Sequence, residues 1–513
     1  PFTVVGVGAS AGGLEAYCQL LAALPTDTGM AFVLVQHLPP TRESALAQIL
    51  GRETSLPVTE VSDQVRIEPN HVYVNPPDFN LALEAGCFRL LPRQPGAAQH
   101  PIDLFFRSLA ESQGHRAVAV VLSGAATDGT IGLEEIKAAG GITFAQDESA
   151  KQSGMPESAR ASGCVDFVLT PAAIGAELAR IATHPHFTQP ASGEAAKDQG
   201  LQAILGCLER ATGVDFQDYK VNTLVRRITR RMALHKWENF DDYAESLRGD
   251  LAEVQVLYDD ILINVTSFFR DASAFEAIKN NLGPLLKRRT RHDPLRIWTV
   301  GCSTGEEAYS LAISLYELSD GPVSAQIFAT DLNAKSIEQA RAGIYSPMRV
   351  ENVSPERLRR FFSEVNGGFQ VSPAIREMCV FSRHNLLSDP PFSRMDLVTC
   401  RNLLIYLNPA LQQKIIPLFH YALKPDGFLM LGCSENVGRY KDLFEDIDKS
   451  HRIFARKAGS SRLPLRSFPG RPGVRFPSPV KHSPLASPQA TPDAPPLRTN
   501  YANPVLHQRL MTV

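Results

Sequence analysis

Short runs of consecutive apolar residues alternate with helical patterns through the first third of the chain. The runs TVVGVG, AFVLVQ and AVAVVLSG each predict a buried strand, and helical spacing follows at residues 13–24 and 44–51. Strands that alternate with helices in this way are typical of βαβ units around a parallel sheet. We therefore predict a doubly wound α/β domain over residues 1–182.

The pattern changes twice further along the chain. Residues 183–200 are polar, with Pro and Gly and no apolar period, as expected of a linker. Residues 201–290 show helical spacing without a strand signal, which predicts a small all-helical domain. The strand patterns of LRIWTVG, IFATD, MDLVTC and GFLMLG then predict a second, Rossmann-like α/β domain over residues 291–457. Residues 458–513 contain 11 Pro and one acid, a composition that predicts a disordered tail.

Composition excludes several classes of protein. The formal net charge of −2 gives no basic excess for holding nucleic acid. No stretch reaches the roughly 18 consecutive apolar residues of a membrane span, so we expect no membrane insertion. The eight cysteines form no CxxC pair and no Cys/His cluster with zinc-ligand spacing, which predicts reduced thiols in a cytoplasmic protein and no metal site.

Three polar side chains are placed where the strands of the first domain end. Ser10 follows the first strand in a glycine-rich turn, His37 follows the second, and Asp128 follows AVAVVLSG. Carboxyl ends of parallel strands share one sheet edge, so the three could meet as nucleophile, base and orienting carboxylate. Each also has an ordinary structural role open to it, as a helix cap, a strand-end residue or a turn former. Dinucleotide binding at the same turn is disfavoured because the second strand ends without a carboxylate.

Longer motifs join these residues into one site. VVGVGASAGG, VQHLPP, HPIDLFFRSLA, VLSGAATDG and QDESAKQSGMPESARASG resemble the catalytic domain of the chemotaxis protein-glutamate methylesterases, in order and spacing. The resemblance implies that Ser10, His37 and Asp128 form a catalytic triad. One stretch departs from the family, because its usual Thr-Gly-Met-Gly reads Ser123-Gly124-Ala125-Ala126 here.

The second α/β domain has the pattern of a nucleotide-cofactor site. VGCSTGEE runs from a strand into a glycine turn at Gly301, and Asp331 ends the next strand, where an acid can hold ribose hydroxyls. S-adenosylmethionine is favoured over NAD because G-x-G-x-x-G is absent, and Glu306 and Glu307 also bring negative charge towards a cationic ligand. For Asp331 a helix N-cap remains the alternative, and for the glutamates an acidic first turn.

Residues 201–457 resemble the chemotaxis receptor glutamate O-methyltransferases. The resemblance rests on NVTSFFRD, VGCSTGEEAYSLAI, IFATDLN, MDLVTCRNLLIYL and LKPDGFLMLGCSE. It implies S-adenosylmethionine contacts at Asn264, Thr266, Arg270, Gly301, Glu307, Asp331, Asn385, Leu386, Arg401 and Asn402. It also implies that Arg270 and Tyr406 orient the substrate, although a surface ion pair with Asp271 and a core position are their alternatives.

A basic helical face between Tyr219 and Trp237 carries six Lys or Arg and no acid. It could dock an acidic partner or be merely solvated, and the resemblance favours the glutamate-rich helices of chemoreceptors. Two-component proteins are further candidate partners. The stretch from Phe361 to Val380 looks short for a β-insert that binds a receptor tail.

The sequence thus predicts a bifunctional chain that adds methyl esters to protein glutamates and removes them in chemotaxis-like signalling. Two alternatives stay open. One is a non-enzymatic or half-active scaffold, and the other is an esterase joined to an O-methyltransferase that both act on small molecules.

Overall fold

A computed structural model describes residues 2–37, 45–93, 100–184, 198–262, 265–290, 292–319, 321, 323–365 and 368–458. All structural statements below concern these residues. The predicted tail and most of the predicted linker lie outside them. All eight cysteines are free thiols. In the part of the chain that is described, no helix has the length and apolarity needed to cross a bilayer.

The first α/β domain is built on a seven-stranded sheet in the order β3-β4-β2-β1-β7-β8-β9, with every pair parallel. Its strands are β1 (Val4–Ala9), β2 (Ala31–Gln36), β3 (Val58–Glu60), β4 (Val72–Val74), β7 (Ala117–Val121), β8 (Ile142–Gln146) and β9 (Phe167–Leu169), and β5 (Phe79–Glu84) and β6 (Cys87–Pro92) form a hairpin beside it. Its helices are α1 (Gly13–Ala22), α2 (Leu46–Leu50), α3 (Pro101–Gln113), α4 (Thr130–Ala139), α5 (Gly154–Ala161) and α6 (Pro171–Ala182). The central strands are apolar because both faces of the sheet are covered.

Strand β1 is the point at which the strand order reverses, since β2 lies on one side of it and β7 on the other. Loops that leave such neighbouring strands in opposite directions open a crevice at the carboxyl edge of a sheet. The first predicted site falls at this edge.

Helices α7 (Gln199–Thr212), α8 (Val221–His235), α9 (Phe240–Gly249) and α10 (Leu251–Ile261) share one hydrophobic core. Each buries an apolar stripe, as the 3.6-residue period requires. The next helix, α11 (Ala272–Leu286), buries Phe275, Ile278 and Leu282 in the core of the second sheet instead. The predicted domain boundary at residue 290 has no further test and stays a prediction.

The second α/β domain has seven strands in the order β15-β11-β10-β16-β17-β19-β18. Its strands are β10 (Leu295–Val300), β11 (Ala325–Asp331), β15 (Cys379–Arg383), β16 (Met395–Cys400), β17 (Leu423–Leu431), β18 (Phe444–Asp448) and β19 (Ile453–Arg456), and its helices are α12 (Glu306–Leu318), α13 (Ala334–Ala342), α14 (Pro355–Phe361), α15 (Pro373–Arg376) and α16 (Pro409–Ala422). The first five strands in this order are parallel to one another, and β19 pairs antiparallel with both β17 and β18. The predicted α/β fold class is confirmed for both domains.

A small antiparallel sheet projects from the second domain. It joins β12 (Ile344–Tyr345), β13 (Phe362–Val365) and β14 (Gly368–Val371). The stretch that looked short in the sequence therefore forms a three-stranded sheet, because Ile344–Tyr345 supplies a strand from outside it.

Candidate active sites

The ends of three strands bring Ser10, His37 and Asp128 together. His37 Nδ1 lies 3.2 Å from Ser10 Oγ, and His37 Nε2 lies 2.9 Å from Asp128 Oδ2. An ionised carboxylate can only accept a hydrogen bond, so we assign the imidazole proton to Nε2. Nδ1 is then free to accept the proton of the Ser10 hydroxyl. We call these three hydrogen-bonded side chains the Ser10–His37–Asp128 row. The row has the connectivity of a nucleophile, a base and an orienting acid.

Two backbone N–H groups in the first turn of helix α3 hold the Asp128 carboxylate in place. The backbone N–H groups of Ile102 and Asp103 donate to its two oxygens at 3.0 Å and 2.9 Å. These donors belong to the first turn of α3, where N–H groups have no partner inside the helix. Asp128 is only 1% exposed, so these bonds hold its orientation with little competition from water.

The turn after Ser10 leaves donors beside the hydroxyl. The Ser10 N–H donates to the Ser123 carbonyl at 2.9 Å, and Gly12 has a φ of 80°. A Cβ at Gly12 would lie 2.7 Å from Ser123 Oγ, so the turn requires glycine. Among the described residues, the N–H groups of Ala11 and Gly12 donate no hydrogen bond. They can therefore receive an oxyanion that develops next to Ser10.

Three further titratable residues reach this site that the sequence did not single out. Asp103 is 5% exposed and accepts a hydrogen bond from the Gly132 N–H at 2.7 Å. Burial and the neighbouring Asp128 raise the pKa of Asp103 to about 8. His100 Nδ1 lies 3.9 Å from Asp128 Oδ1, and His100 Nε2 lies 3.0 Å from Glu351 Oε1 of the second α/β domain. His100 and Asp103 lie within the motif HPIDLFFRSLA, but its pattern did not indicate a role for them, and Glu351 reaches the site only through the packing of the second α/β domain.

A cavity of about 350 Å³ lies at the carboxyl edge of the second sheet. Its wall includes every residue predicted for this site that the structure describes, namely Thr266, Arg270, Gly301, Glu307, Asp331, Asn385, Leu386, Arg401, Asn402 and Tyr406. Asn264, also predicted, lies outside the described residues. The structure thus brings together residues from five separate segments of the chain, while their roles as ligands remain to be tested.

Asp331 faces the glycine turn after β10. Its Oδ2 accepts a hydrogen bond from the Ser303 N–H and its Oδ1 accepts one from the Asn333 N–H, both at 2.8 Å. Burial raises the pKa of Asp331. The N-cap of α13 is Asn333, which accepts a hydrogen bond from the Ser336 N–H, so Asp331 does not serve as that cap.

The two glutamates at the start of α12 differ in their surroundings. Glu307 lines the cavity and accepts a hydrogen bond from Thr399 Oγ1 at 2.7 Å. Glu306 is fully buried and pairs with Arg349 at 3.0 Å. Of these two glutamates, only Glu307 lines the cavity, which differs from the expectation for the pair.

The predicted substrate-orienting pair lies at the open side of the cavity. The Arg270 side chain is exposed and donates to the Val265 carbonyl at 3.3 Å. Asp271 pairs instead with Arg401 at 2.6 Å, so the expected alternative of an Arg270–Asp271 ion pair is not observed. Tyr406 is half-buried in the cavity wall, and burial raises its pKa.

A buried carboxylate supports the loop that carries Arg401, Asn402 and Tyr406. Glu435 accepts hydrogen bonds from the N–H groups of Gly432, Asn402 and Ile405 at 2.7, 3.0 and 3.3 Å. Burial raises its pKa, and these hydrogen bonds oppose that shift. The sequence motif contains Glu435, but its spacing did not indicate this role.

Half of the predicted basic face is engaged inside the chain. Arg230 is fully buried between Asp166 and Asp260, Arg227 donates to backbone carbonyls of α4, and Arg231 pairs with Glu253. The exposed members are Lys220, Arg226 and Lys236. An acidic partner can reach only these three residues in the described arrangement.

The fold and the two sites define the chain as an esterase-type domain followed by a methyltransferase-type domain. Family comparison agrees, since residues 5–178 match the CheB methylesterase, residues 199–262 match the all-alpha domain of the CheR methyltransferase, and residues 264–453 match its SAM binding domain. The chain belongs to the chemotaxis protein methyltransferase family and carries a CheB methylesterase domain ahead of it. S-adenosylmethionine is the cofactor of the second α/β domain.

Three relatives illustrate this relationship. An uncharacterized 104.1 kDa protein of Rhodobacter capsulatus is 38% identical over 447 residues, which cover 82% of this chain and 47% of that protein. The chain therefore spans about half the length of this relative. Chemotaxis protein methyltransferase 1 of Pseudomonas aeruginosa is 33% identical, covering 48% of this chain and 94% of that protein. The chemotaxis protein methyltransferase of Salmonella typhimurium is 32% identical, covering 47% and 85%.

Proposed function

We propose that the chain sets the methylation state of a chemoreceptor-like protein by two opposed reactions. Residues 1–182 hydrolyse glutamyl methyl esters through Ser10, and residues 201–457 form those esters from S-adenosylmethionine. The observation that carries the proposal is the coexistence of two candidate sites in one chain. One is the hydrogen-bonded row of Ser10, His37 and Asp128, and the other is the cavity that holds the predicted methyltransferase residues.

Ester hydrolysis in the first domain would use Ser10, His37 and Asp128 together. Ser10 Oγ attacks the ester carbonyl while His37 Nδ1 takes its proton, and Asp128 stabilises the imidazolium that forms. The N–H groups of Ala11 and Gly12 stabilise the oxyanion. His37 then gives the proton to the departing methoxide, which leaves as methanol. Water, activated by His37, releases the glutamate and restores Ser10.

The residues of the second cavity fit an adenosine-containing sulfonium cofactor. Gly301 has a φ of 68° and lets a ligand approach the backbone. Ser303 Oγ is buried and has no hydrogen-bond partner among the described residues, so it is available to a ligand. Asp331 and Glu307 would hold the ribose hydroxyls and the positive charge. When bound, S-adenosylmethionine supplies an electrophilic methyl group.

Orientation is the main task of the protein in methyl transfer. A glutamate side chain has a pKa near 4.3 and is already ionised at neutral pH, so no general base is required. Arg270 would fix the incoming carboxylate by charge-assisted hydrogen bonds, and Tyr406 would set its direction. The cavity wall excludes water from the reacting atoms.

Cofactor binding tests the assignment of Asp331. Asp331→Ala removes the acid beside the glycine turn, and we expect it to weaken S-adenosylmethionine binding by about tenfold or more, the scale of one or two charged hydrogen bonds. Calorimetry on the full chain measures this directly, with the exposed Asp442→Ala as a control. Unchanged affinity in Asp331→Ala would refute the ribose assignment. A chain that binds no cofactor at all would favour the scaffold alternative.

A further inference from the structure

The esterase domain forms one wall of the methyltransferase cavity. Helices α3 and α4 contribute Ala110, Glu111, Glu135, Ala138 and Ala139 to a lining that also includes Arg270 and Tyr406. The substrate side of the methyltransferase therefore faces a part of the same chain.

Several ion pairs hold α4 in this place. Arg349 bridges Glu134 of α4 and the buried Glu306, both at 3.0 Å. Arg227 of the helical unit donates to the carbonyls of Lys137 and Ala138 in the last turn of α4. Contacts within α4 and in its last turn thus hold this wall of the cavity in place.

Two successive glutamates of α4 have different roles in this contact. Glu134 is tied to Arg349, whereas Glu135 makes no hydrogen bond or ion pair within the described part of the chain. Glu135 is half-buried and lines the cavity. Burial is the largest effect on the Glu135 carboxyl and raises its pKa. The neighbouring Arg107, Arg270 and Arg349 oppose this shift, and Glu111 adds to it. A carboxylate without a partner therefore lines the same cavity as the arginine that we assign to the substrate.

We propose that the Glu135 carboxylate, which lines the same cavity as Arg270 and Tyr406, competes from within the chain for the place at which the methyltransferase receives a substrate carboxylate. The inference rests on the proposed function. Glu135 has the same functional group as the residue to be methylated and is always present at high effective concentration. The apparent affinity for substrate is reduced by the fraction of chain in which the place is occupied.

Neutralising Glu135 tests this competition. The full chain is compared as wild type, Glu135→Gln and Glu157→Gln, the last being an exposed glutamate of α5 that does not line the cavity. The KM for a chemoreceptor cytoplasmic fragment and its calorimetric Kd are measured. We expect Glu135→Gln to lower both by about three- to tenfold, with kcat changed less than about twofold. Glu157→Gln should leave both unchanged.

Unchanged or higher values in Glu135→Gln would overturn the inference. If none of the three proteins methylates the fragment, the proposed function fails, while the comparison of Kd values still judges the inference.

A second measurement needs no partner. The carboxyl pKa of Glu135, followed by carbon-13 NMR, should rise in Arg270→Gln because a nearby cation is lost. A pKa that does not move would place Glu135 away from Arg270 and contradict the proposal.

Discussion

At the scale of single residues, the orienting acid of the esterase site has a second acid beside it. Asp103, His100 and Asp128 place side-chain atoms within 4.8 Å of one another. Asp103 Oδ2 and His100 Nδ1 are both buried without a hydrogen-bond partner among the described residues. Two adjacent buried carboxylates do not both ionise easily, and burial together with the neighbouring Asp128 raises the pKa of Asp103 to about 8, so Asp103 keeps its proton at neutral pH.

This proton makes stability depend on pH. The pKa of Asp103 is about 8 in the fold and near 3.8 in an exposed chain. Between these values the folded chain binds one proton more than the unfolded chain, so this group's contribution to stability falls as pH rises through the window. Asp103→Asn removes the titration, and its Oδ1 can still accept the hydrogen bond from Gly132. We expect the Tm of this variant to fall less than that of the wild type between pH 5 and pH 8.

A matched variant separates this effect from general loss of packing. Asp166 is also buried, but the cations Arg230 and Lys137 lower its pKa despite burial, so Asp166→Asn should not flatten the pH dependence in this window. Parallel Tm curves for wild type and Asp103→Asn across the pH range would show that Asp103 does not hold this proton.

At the scale of elements, helix α8 joins the domains through buried arginines. Arg230 is fully buried and pairs with Asp166 of the first domain and Asp260 of α10. Its guanidinium also donates to the Gly141 carbonyl at 2.8 Å. A buried ion pair of this kind contributes little net energy while intact, but removing one partner leaves uncompensated charges.

We therefore expect Arg230→Ala to destabilise the chain by about 3 kcal/mol or more, because two buried carboxylates lose their cation. The exposed Arg226 on the same helix is the control, and its replacement by Ala should cost less than about 0.5 kcal/mol. Urea unfolding midpoints compare the two variants. Equal midpoints would mean that Arg230 is solvated and that α8 does not contact the first domain in solution.

The elements also show where sequence reasoning succeeds. Ser10, His37 and Asp128 were expected at one edge because parallel strands end together, and the structure brings them within hydrogen-bond distance. In the second cavity, strand ends and a glycine turn indicated Gly301, Glu307 and Asp331, whereas the other predicted residues were implied by the resemblance to the methyltransferases. Arg227 and Arg230 were read as a surface face, because helical periodicity does not show which neighbour a polar stripe will meet. Their partners in the first domain lie 64 to 90 residues earlier in the chain.

At the scale of the whole molecule, the two sites are linked rather than independent. Glu351 reaches His100 at the esterase row, and Glu135 reaches the methyltransferase cavity. Each domain therefore contributes an acidic side chain to the surroundings of the other site. Such contacts depend on how two domains pack, so no pattern within either domain could have predicted them.

The central claim is that one chain both forms and removes glutamyl methyl esters. The most direct measurement supplies the full chain with S-adenosylmethionine labelled in its methyl group and a chemoreceptor cytoplasmic fragment, and follows label on the fragment and in methanol. We expect label on the fragment in the wild type and in Ser10→Ala, and release of methanol to fall by about a thousandfold in Ser10→Ala. A fragment that never acquires label, or methanol release that is unaffected by Ser10→Ala, would contradict the account.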